Sequence, residues 1–241
     1  MRSYLGEKLL IGIVRKMRFL IFTVLAVFPG LLLGSSELDG IWVLDGPGTE
    51  SEILLTDRGE RLRSDYDLLE DDPSLSCTPA SVSRVWANPG SRVQIQQEED
   101  RILISYELFD LRREIPIGDE SVMSELPSTK NLEGVEFAEM GSSFASYEGD
   151  SLIIVSRNHA HGYIRTSRGI PQGSDTVTRE VFEVNGDRLQ ITHTYEDTTL
   201  FEQPLVLEYF FNRLKNAEIE LYNCTDPDYD WFLELNAIRE D

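Results

Sequence analysis

Apolar side chains recur at every second position through much of the chain. Val93 and Ile95 alternate with Gln94 and Gln96. Ile102, Ile104, Tyr106 and Leu108 share one face of the next run, with Ser105 and Glu107 on the other. Further on, Leu189, Ile191, His193 and Tyr195 alternate with Gln190, Thr192, Thr194 and Glu196, and Leu205, Leu207, Tyr209 and Phe211 form another such face. A period of two is the mark of strands with one buried face. Residues 151–156 form a β-branched apolar run, and Ile219 and Leu221 are expected to continue the last pattern after a turn.

Turn chemistry falls between these runs. Val184-Asn185-Gly186-Asp187 predicts a hairpin, because Asn-Gly accepts the positive φ angles of a type I′ turn. Glu148-Gly149-Asp150 and Leu214-Lys215-Asn216 are expected hairpin tips, and Glu98-Glu99-Asp100 is expected to join two strands. One helix is predicted, with Thr56 as N-cap, Asp57 and Glu60 in its first turn, and an end near Leu69 before Asp72-Pro73. Residues 119–140 and 157–175 have no period and are expected to be long loops. The pattern as a whole predicts an all-β fold, a single antiparallel barrel-like domain over residues 37–241 with one short helix. Gly40-Ile41-Trp42, opening the first strand, resembles the Gly-x-Trp start of lipocalin-like (calycin) barrels; the plainer alternative is a Trp plugging the bottom of any small barrel.

One apolar run has no alternation. Residues 19–33 carry almost no polar side chain, follow Met17-Arg18, and end in Gly34-Ser35-Ser36 before Glu37. A basic start, a short apolar stretch and a small-residue exit are the parts of a secretory signal peptide. The run is short for a membrane span, no Lys/Arg cluster follows it, and no Cys follows it to carry a lipid. The expected product is an exported chain, periplasmic or extracellular, cleaved after Ser36 and left without a stable membrane anchor. Residues 1–16, with Lys8, Arg15 and Lys16, either lengthen the basic start or precede a true start at Met17.

Charge narrows the partners. The chain holds 22 basic and 43 acidic residues, a net of −21, and five of the basic residues lie within the first 36 positions. Such a field repels nucleic acid and anionic lipid, so neither is an expected partner. The acids are scattered among apolar positions and read as a solvated surface. Two cysteines, Cys77 and Cys224, are present. An oxidising compartment favours their pairing, which the chain-entropy model values at about 4–5 kcal/mol. Two free thiols or a reactive Cys are the alternatives, the last without a nearby His or basic cluster in sequence.

A longer series of motifs covers most of the chain beyond the leader. It runs Leu54-Leu55-Thr56-Asp57-x-Gly59, Asp71-Asp72-Pro73, Cys77-x-Pro79, Gln94-Ile95-x-Gln97, then Tyr106-Glu107 and Arg113. It continues with Gly141, Tyr147-Glu148-Gly149-Asp150, Asn185-Gly186-Asp187-x-Leu189, Glu196-Asp197 with Phe201 and Pro204, and Tyr222-x-Cys224. This series resembles an uncharacterised family of exported bacterial β-rich proteins. The resemblance implies a disulfide between Cys77 and Cys224 and implies no activity. The chain departs from that pattern at Tyr147, where Trp is usual, at Thr198 and Glu202, and at Arg179-Glu180, where the order of charges is reversed.

The candidate chemistry is sparse. His159 and His161 would share a strand face and could join His193 and Glu107 as four metal ligands, but no third ligand lies near the pair in sequence, so none of them is assigned to a metal. His193 lies on an apolar face and is expected to be buried and hydrogen-bonded, either as a satisfied core residue or as a polar group in a barrel lumen. Glu107, Gln94, Gln96 and Arg113 make an outward polar face with a Glu–Arg pair, or, if the register turns them inward, a ligand-orienting cluster with His193 and Tyr195. Asp226-Pro227-Asp228-Tyr229-Asp230 resembles the start of a calcium loop, but Trp231 and Ala237 stand where Gly and Glu are needed. No nucleophile elbow, phosphate loop or dinucleotide fingerprint is present, so no cofactor and no catalytic residue is assigned. The leading expectation is non-catalytic binding of a small apolar or amphipathic ligand in the lumen. The alternatives are a metal-assisted hydrolase or a lyase or isomerase using His193 with Glu107 and Arg113, and an envelope interaction protein with a filled barrel.

Overall fold

The computed structural model describes residues 36–225; the leader and the Asp226-Pro227-Asp228 run lie outside the described residues. The strands are β1 Gly40–Leu44, β2 Thr49–Glu50, β3 Arg92–Gln97, β4 Arg101–Tyr106, β5 Leu111–Pro116, β6 Thr129–Asn131 and β7 Ser142–Glu148. They continue as β8 Ser151–Arg157, β9 Gly162–Arg165, β10 Ile170–Gln172, β11 Val177–Asn185, β12 Arg188–Glu196 and β13 Leu205–Leu214. The main sheet runs β6-β5-β4-β3-β1-β13-β12-β11-β8-β7, with β2 added to β13, and β9 and β10 form a separate hairpin. Every ladder is antiparallel. The two ends of the sheet meet where Ile117 bridges Ala145 and the Gly118 N–H donates to the Ala145 carbonyl over 2.8 Å. This is the all-β, barrel-like antiparallel fold that the period of two predicts.

The inner face is the buried face of the alternation. Val93, Ile95, Ile102, Ile104, Tyr106, Leu189, Ile191, Tyr195, Leu207, Tyr209 and Phe211 are all buried. At one end Trp42 is fully buried, donates to the Leu38 carbonyl over 3.0 Å, and lies under the Arg213 guanidinium at 4.1 Å. At the other, chain between β2 and β3 forms α1 Asp57–Ser64, α2 Leu68–Asp71 and α3 Val82–Trp86. The α3 helix is capped by Ser81, whose hydroxyl accepts from the Arg84 N–H and donates to the Ile164 carbonyl of β9. Its Trp86 enters the barrel edge-on to Tyr106, Phe182 and Phe211, with centroids 5.2–5.7 Å away.

Several local expectations change. The single helix expected from Thr56 to Leu69 is two. Thr56 does cap α1, but Asp67 accepts from the Leu69 N–H and Asp71 accepts from the Asp67 N–H, a reciprocal cap that starts a new helix. The supposed loops hold β6 and the β9–β10 hairpin, whose three- and four-residue strands are too short to display a period. In the β11–β12 hairpin Asn185 still pairs with Arg188, so Gly186 and Asp187 form the turn, and Gly186 supplies its positive φ of 61°. Ile219 and Leu221 do not extend a strand; Leu221 is 64% exposed. That segment is held by carboxylates instead, Glu107 accepting from the Glu220 N–H and Asp110 from those of Tyr222 and Asn223. The Cys77–Cys224 disulfide is formed and closes over the same segment.

Candidate functional site

Two places hold polar chemistry in an apolar setting: the centre of the barrel and its capped end. At the centre, Arg113 on β5 reaches across the seam of the sheet. Its Nη2 donates to Ser143 of β7 over 3.1 Å and to Ser156 of β8 over 2.9 Å. Its Nη1 lies 2.7 Å from Glu180 Oε2 of β11, an ion contact whose angle is not that of an aligned hydrogen bond. Both side chains are fully buried. Trp86 Nε1 donates to the other Glu180 oxygen over 3.2 Å, so the carboxylate ties the capping helix to the barrel wall. Burial pushes the Glu180 carboxyl up, and Arg113 and Trp86 offset part of that rise. Burial also opposes the Arg113 charge, but Glu180 overrides it and the guanidinium is held more firmly protonated than usual.

His193 is opposite Glu180 in the β11–β12 ladder and is fully buried, as its face predicts. The expected hydrogen bond is missing. Its Nδ1 is 3.7 Å from Glu180 Oε1, beyond hydrogen-bond reach, and neither ring nitrogen has a hydrogen-bond partner among the described residues. Burial first, and the Arg113 charge second, push its pKa down to about 3, so the ring is neutral. Tyr195 also points inward, but its hydroxyl donates to Ser83 Oγ of α3 over 2.8 Å. The other sequence candidates go elsewhere. Gln94 and Gln96 lie on the outer face of β3, where Val93 and Ile95 take the interior. Glu107 sits at the strand end, pairs with Arg92 at 3.4 Å and accepts from the Arg92 and Glu220 N–H groups.

The histidine metal set is likewise dispersed. His159 is buried, with Nδ1 3.1 Å from the Glu139 carbonyl and Nε2 3.2 Å from Thr178 Oγ1, and burial lowers its pKa to about 4. His161 is exposed. Among the described residues no three His, Cys, Asp or Glu side chains are grouped to hold a metal ion. Glu180 enters the sequence reading only as half of the reversed Arg179-Glu180 pair, not as a site residue. The signal was its position between Thr178 and Phe182, which places an acid on the inward face of β11.

The capped end holds the larger space. A cavity of about 570 Å³ lies where β1 ends and β3 begins, bordered by α2, α3 and the β9–β10 turn. Leu44, Leu68, Ala87 and two prolines give it apolar wall; Arg84, Arg165, the Asp72 carboxylate and the Tyr209 hydroxyl give it polar groups. Arg165 is engaged, donating to Tyr209 over 3.1 Å and pairing with Glu50 at 3.3 Å. The half-buried Arg84 guanidinium has no hydrogen-bond or ion-pair partner among the described residues. Gly48, at φ 73°, lets the β1–β2 turn lie directly on the Tyr209 ring, where a Cβ would come within 2.5 Å. A second cavity of about 270 Å³ lies beside the disulfide and shares Asp72 and Arg84 with the first. Neither is lined by Arg113, Glu180 or His193.

No family model matches the chain, and no curated protein sequence matches it. Among solved structures it is similar to a secretory abundant heat soluble (SAHS) protein from Ramazzottius varieornatus, at 13% identity over 74% of this chain and 96% of that one, with a TM-score of 0.36. It is similar also to a point mutant of the fluorescent protein UnaG, at 16% identity over 75% and 99% of the two chains, with a TM-score of 0.35. A third is zebrafish ileal bile acid-binding protein complexed with cholic acid, at 14% identity over 74% and 100%, with a TM-score of 0.36. This chain's own strand ladder carries the fold assignment. Among the described residues no helix is long and apolar enough to cross a membrane.

Proposed function

We propose that this is an exported, non-catalytic binding protein for a small amphipathic ligand carrying an anionic group, held in the capped-end cavity rather than in the lumen. The lumen is a poor host. Its cation, Arg113, is already neutralised by Glu180, and aromatic side chains including Trp86 fill the space around them. The observation that carries the reading is the unpaired, half-buried Arg84 in a cavity of about 570 Å³ with apolar walls. That volume is in the range of ligand sites, and burial of apolar area with one charge-assisted hydrogen bond is the usual composition of such a site.

Export is part of the proposal. It is supported by the charged, apolar and small-residue succession of residues 17–36 and by the disulfide, which belongs to oxidising compartments. N-terminal sequencing of the secreted protein should begin at or near Glu37; a chain that stays in the cytosol with Met1 or Met17 in place overturns this part.

Titration with anilinonaphthalene sulfonate, which joins apolar rings to one anionic group, tests the site. One saturable site is expected, weakened roughly tenfold in Arg84→Gln, the loss of about 1.4 kcal/mol from one charge-assisted bond. Leu68→Gln should weaken it as well, while His193→Leu in the lumen should leave it unchanged. Absence of saturable binding, or sensitivity to His193→Leu with none to Arg84→Gln, would refute the placement.

A further inference from the structure

Six described non-glycine residues adopt a left-handed φ, and four of them, Cys77, Phe109, Asp110 and Asn223, belong to one corner of the molecule. The other two, Asn158 and Asn216, are asparagines, which tolerate that conformation. Phe and Cys do not, and two consecutive cases at Phe109 and Asp110 persist only where their surroundings hold them. Those surroundings are the disulfide, the Asp110 carboxylate accepting from the Tyr222 and Asn223 N–H groups over 2.9 and 3.3 Å, and Glu107 accepting from the Glu220 N–H over 3.0 Å.

This strained clasp encloses space. The second cavity, of about 270 Å³, lies between α3 and the strapped segment. Phe109 and Tyr222 meet edge-on at 5.5 Å along its wall, with Val85 and Leu108 as further apolar lining. Its polar groups include Arg84 and Asn88, and the Asn88 side-chain amide, like the Arg84 guanidinium, has no partner among the described residues. Aromatic walls with a guanidinium and an amide at one side suit a flat ring bearing a carboxylate: edge contacts to the ring, and N–H donors to the anion.

We infer that the disulfide corner is a second binding compartment, for a single-ring aromatic acid, with the Cys77–Cys224 strap as its wall. The inference rests on the capped-end reading only in that Arg84 serves both cavities. Leu68 belongs to the larger cavity alone, and Phe109, Asn88 and Tyr222 to the smaller alone, so the two can be separated by substitution.

Benzoate is the probe, followed by backbone amide chemical shifts on the oxidised protein. Saturable shifts are expected at Val85, Asn88, Phe109 and Tyr222. Binding should weaken roughly fivefold or more in Tyr222→Ala and in Asn88→Leu, in line with the value of one aromatic or hydrogen-bonding contact. Tyr222 is 45% exposed and lies outside the buried core, so Tyr222→Ala leaves the core intact. Leu68→Gln should leave benzoate binding unchanged while weakening anilinonaphthalene sulfonate. Reduction of the disulfide should weaken benzoate and spare the sulfonate. No benzoate shifts, shifts confined to Gly46 and Ser167 at the larger cavity, or insensitivity to both Tyr222→Ala and Asn88→Leu overturns the inference, whatever the sulfonate does.

Discussion

Replacing Glu180 with Gln would leave the Arg113 guanidinium buried at the centre of the barrel with its charge unmatched. At 2.7 Å and an effective dielectric near 20, the attraction lost is about 6 kcal/mol. Relaxation and water entry recover part of that, and removal of one partner from a buried pair typically costs about 3–5 kcal/mol. The amide keeps the shape of the side chain and an oxygen for Trp86, so little of the cost comes from a cavity. Urea unfolding at neutral pH with the disulfide intact should therefore lose about 3–5 kcal/mol in Glu180→Gln, with the slope unchanged. The double variant Arg113→Met/Glu180→Leu removes both charges and should return to within about 2 kcal/mol of the wild type, because the desolvation of two ions disappears with their attraction. A Glu180→Gln cost below about 1 kcal/mol, or a double variant as unstable as the two single losses added together, would mean the pair is not the coupled, dry contact described here.

Acid should weaken the fold before the carboxylates titrate fully. His193 and His159 are held neutral down to about pH 3 and about pH 4, whereas the unfolded chain takes up both protons near pH 6.5. Their contribution is intact above pH 6.5 and falls by roughly 1.4 kcal/mol per pH unit per histidine below it. The urea midpoint should drop from pH 7 to pH 5, less so in His193→Leu; a flat profile would refute the buried neutral rings. Reducing the disulfide, which spans a separation of 147 residues, should cost up to about 5 kcal/mol of unfolding free energy, and equal midpoints with and without reductant would count against that figure. Gly48→Ala puts a methyl against the Tyr209 ring at a positive φ and should cost about 1–2 kcal/mol in a melt; an unchanged melting temperature would show that the turn is free to move away.

The inward faces of β3, β4, β12 and β13 were legible because each strand is long enough to repeat its period and one face is mostly apolar. That placed His193 and Tyr195 correctly. It left Glu107, Gln94, Gln96 and Arg113 undecided as a group, and the register separates them: Arg113 shares the inner face with Leu111 and Ile115, whereas Gln94 and Gln96 alternate with buried Val93 and Ile95. Glu180 was illegible as a partner for Arg113, since β5 and β11 are far apart in sequence and meet only because the sheet curls closed. Helix α3 escaped for a different reason: five residues are little more than one turn, and its apolar Val82, Val85 and Trp86 read equally well as strand or loop. The capped-end cavity is assembled from several separated stretches of chain, so no local pattern could announce it.

The ladder between β1 and β13 joins the first long strand of the barrel to the last. A chain made from its N-terminus therefore releases β1 early and its partner last. Until Leu214 is free, β1 can pair only with β3, and its other edge stays open to any passing strand. The barrel thus has a built-in delay: its core cannot close around Trp42 until β13 has been made.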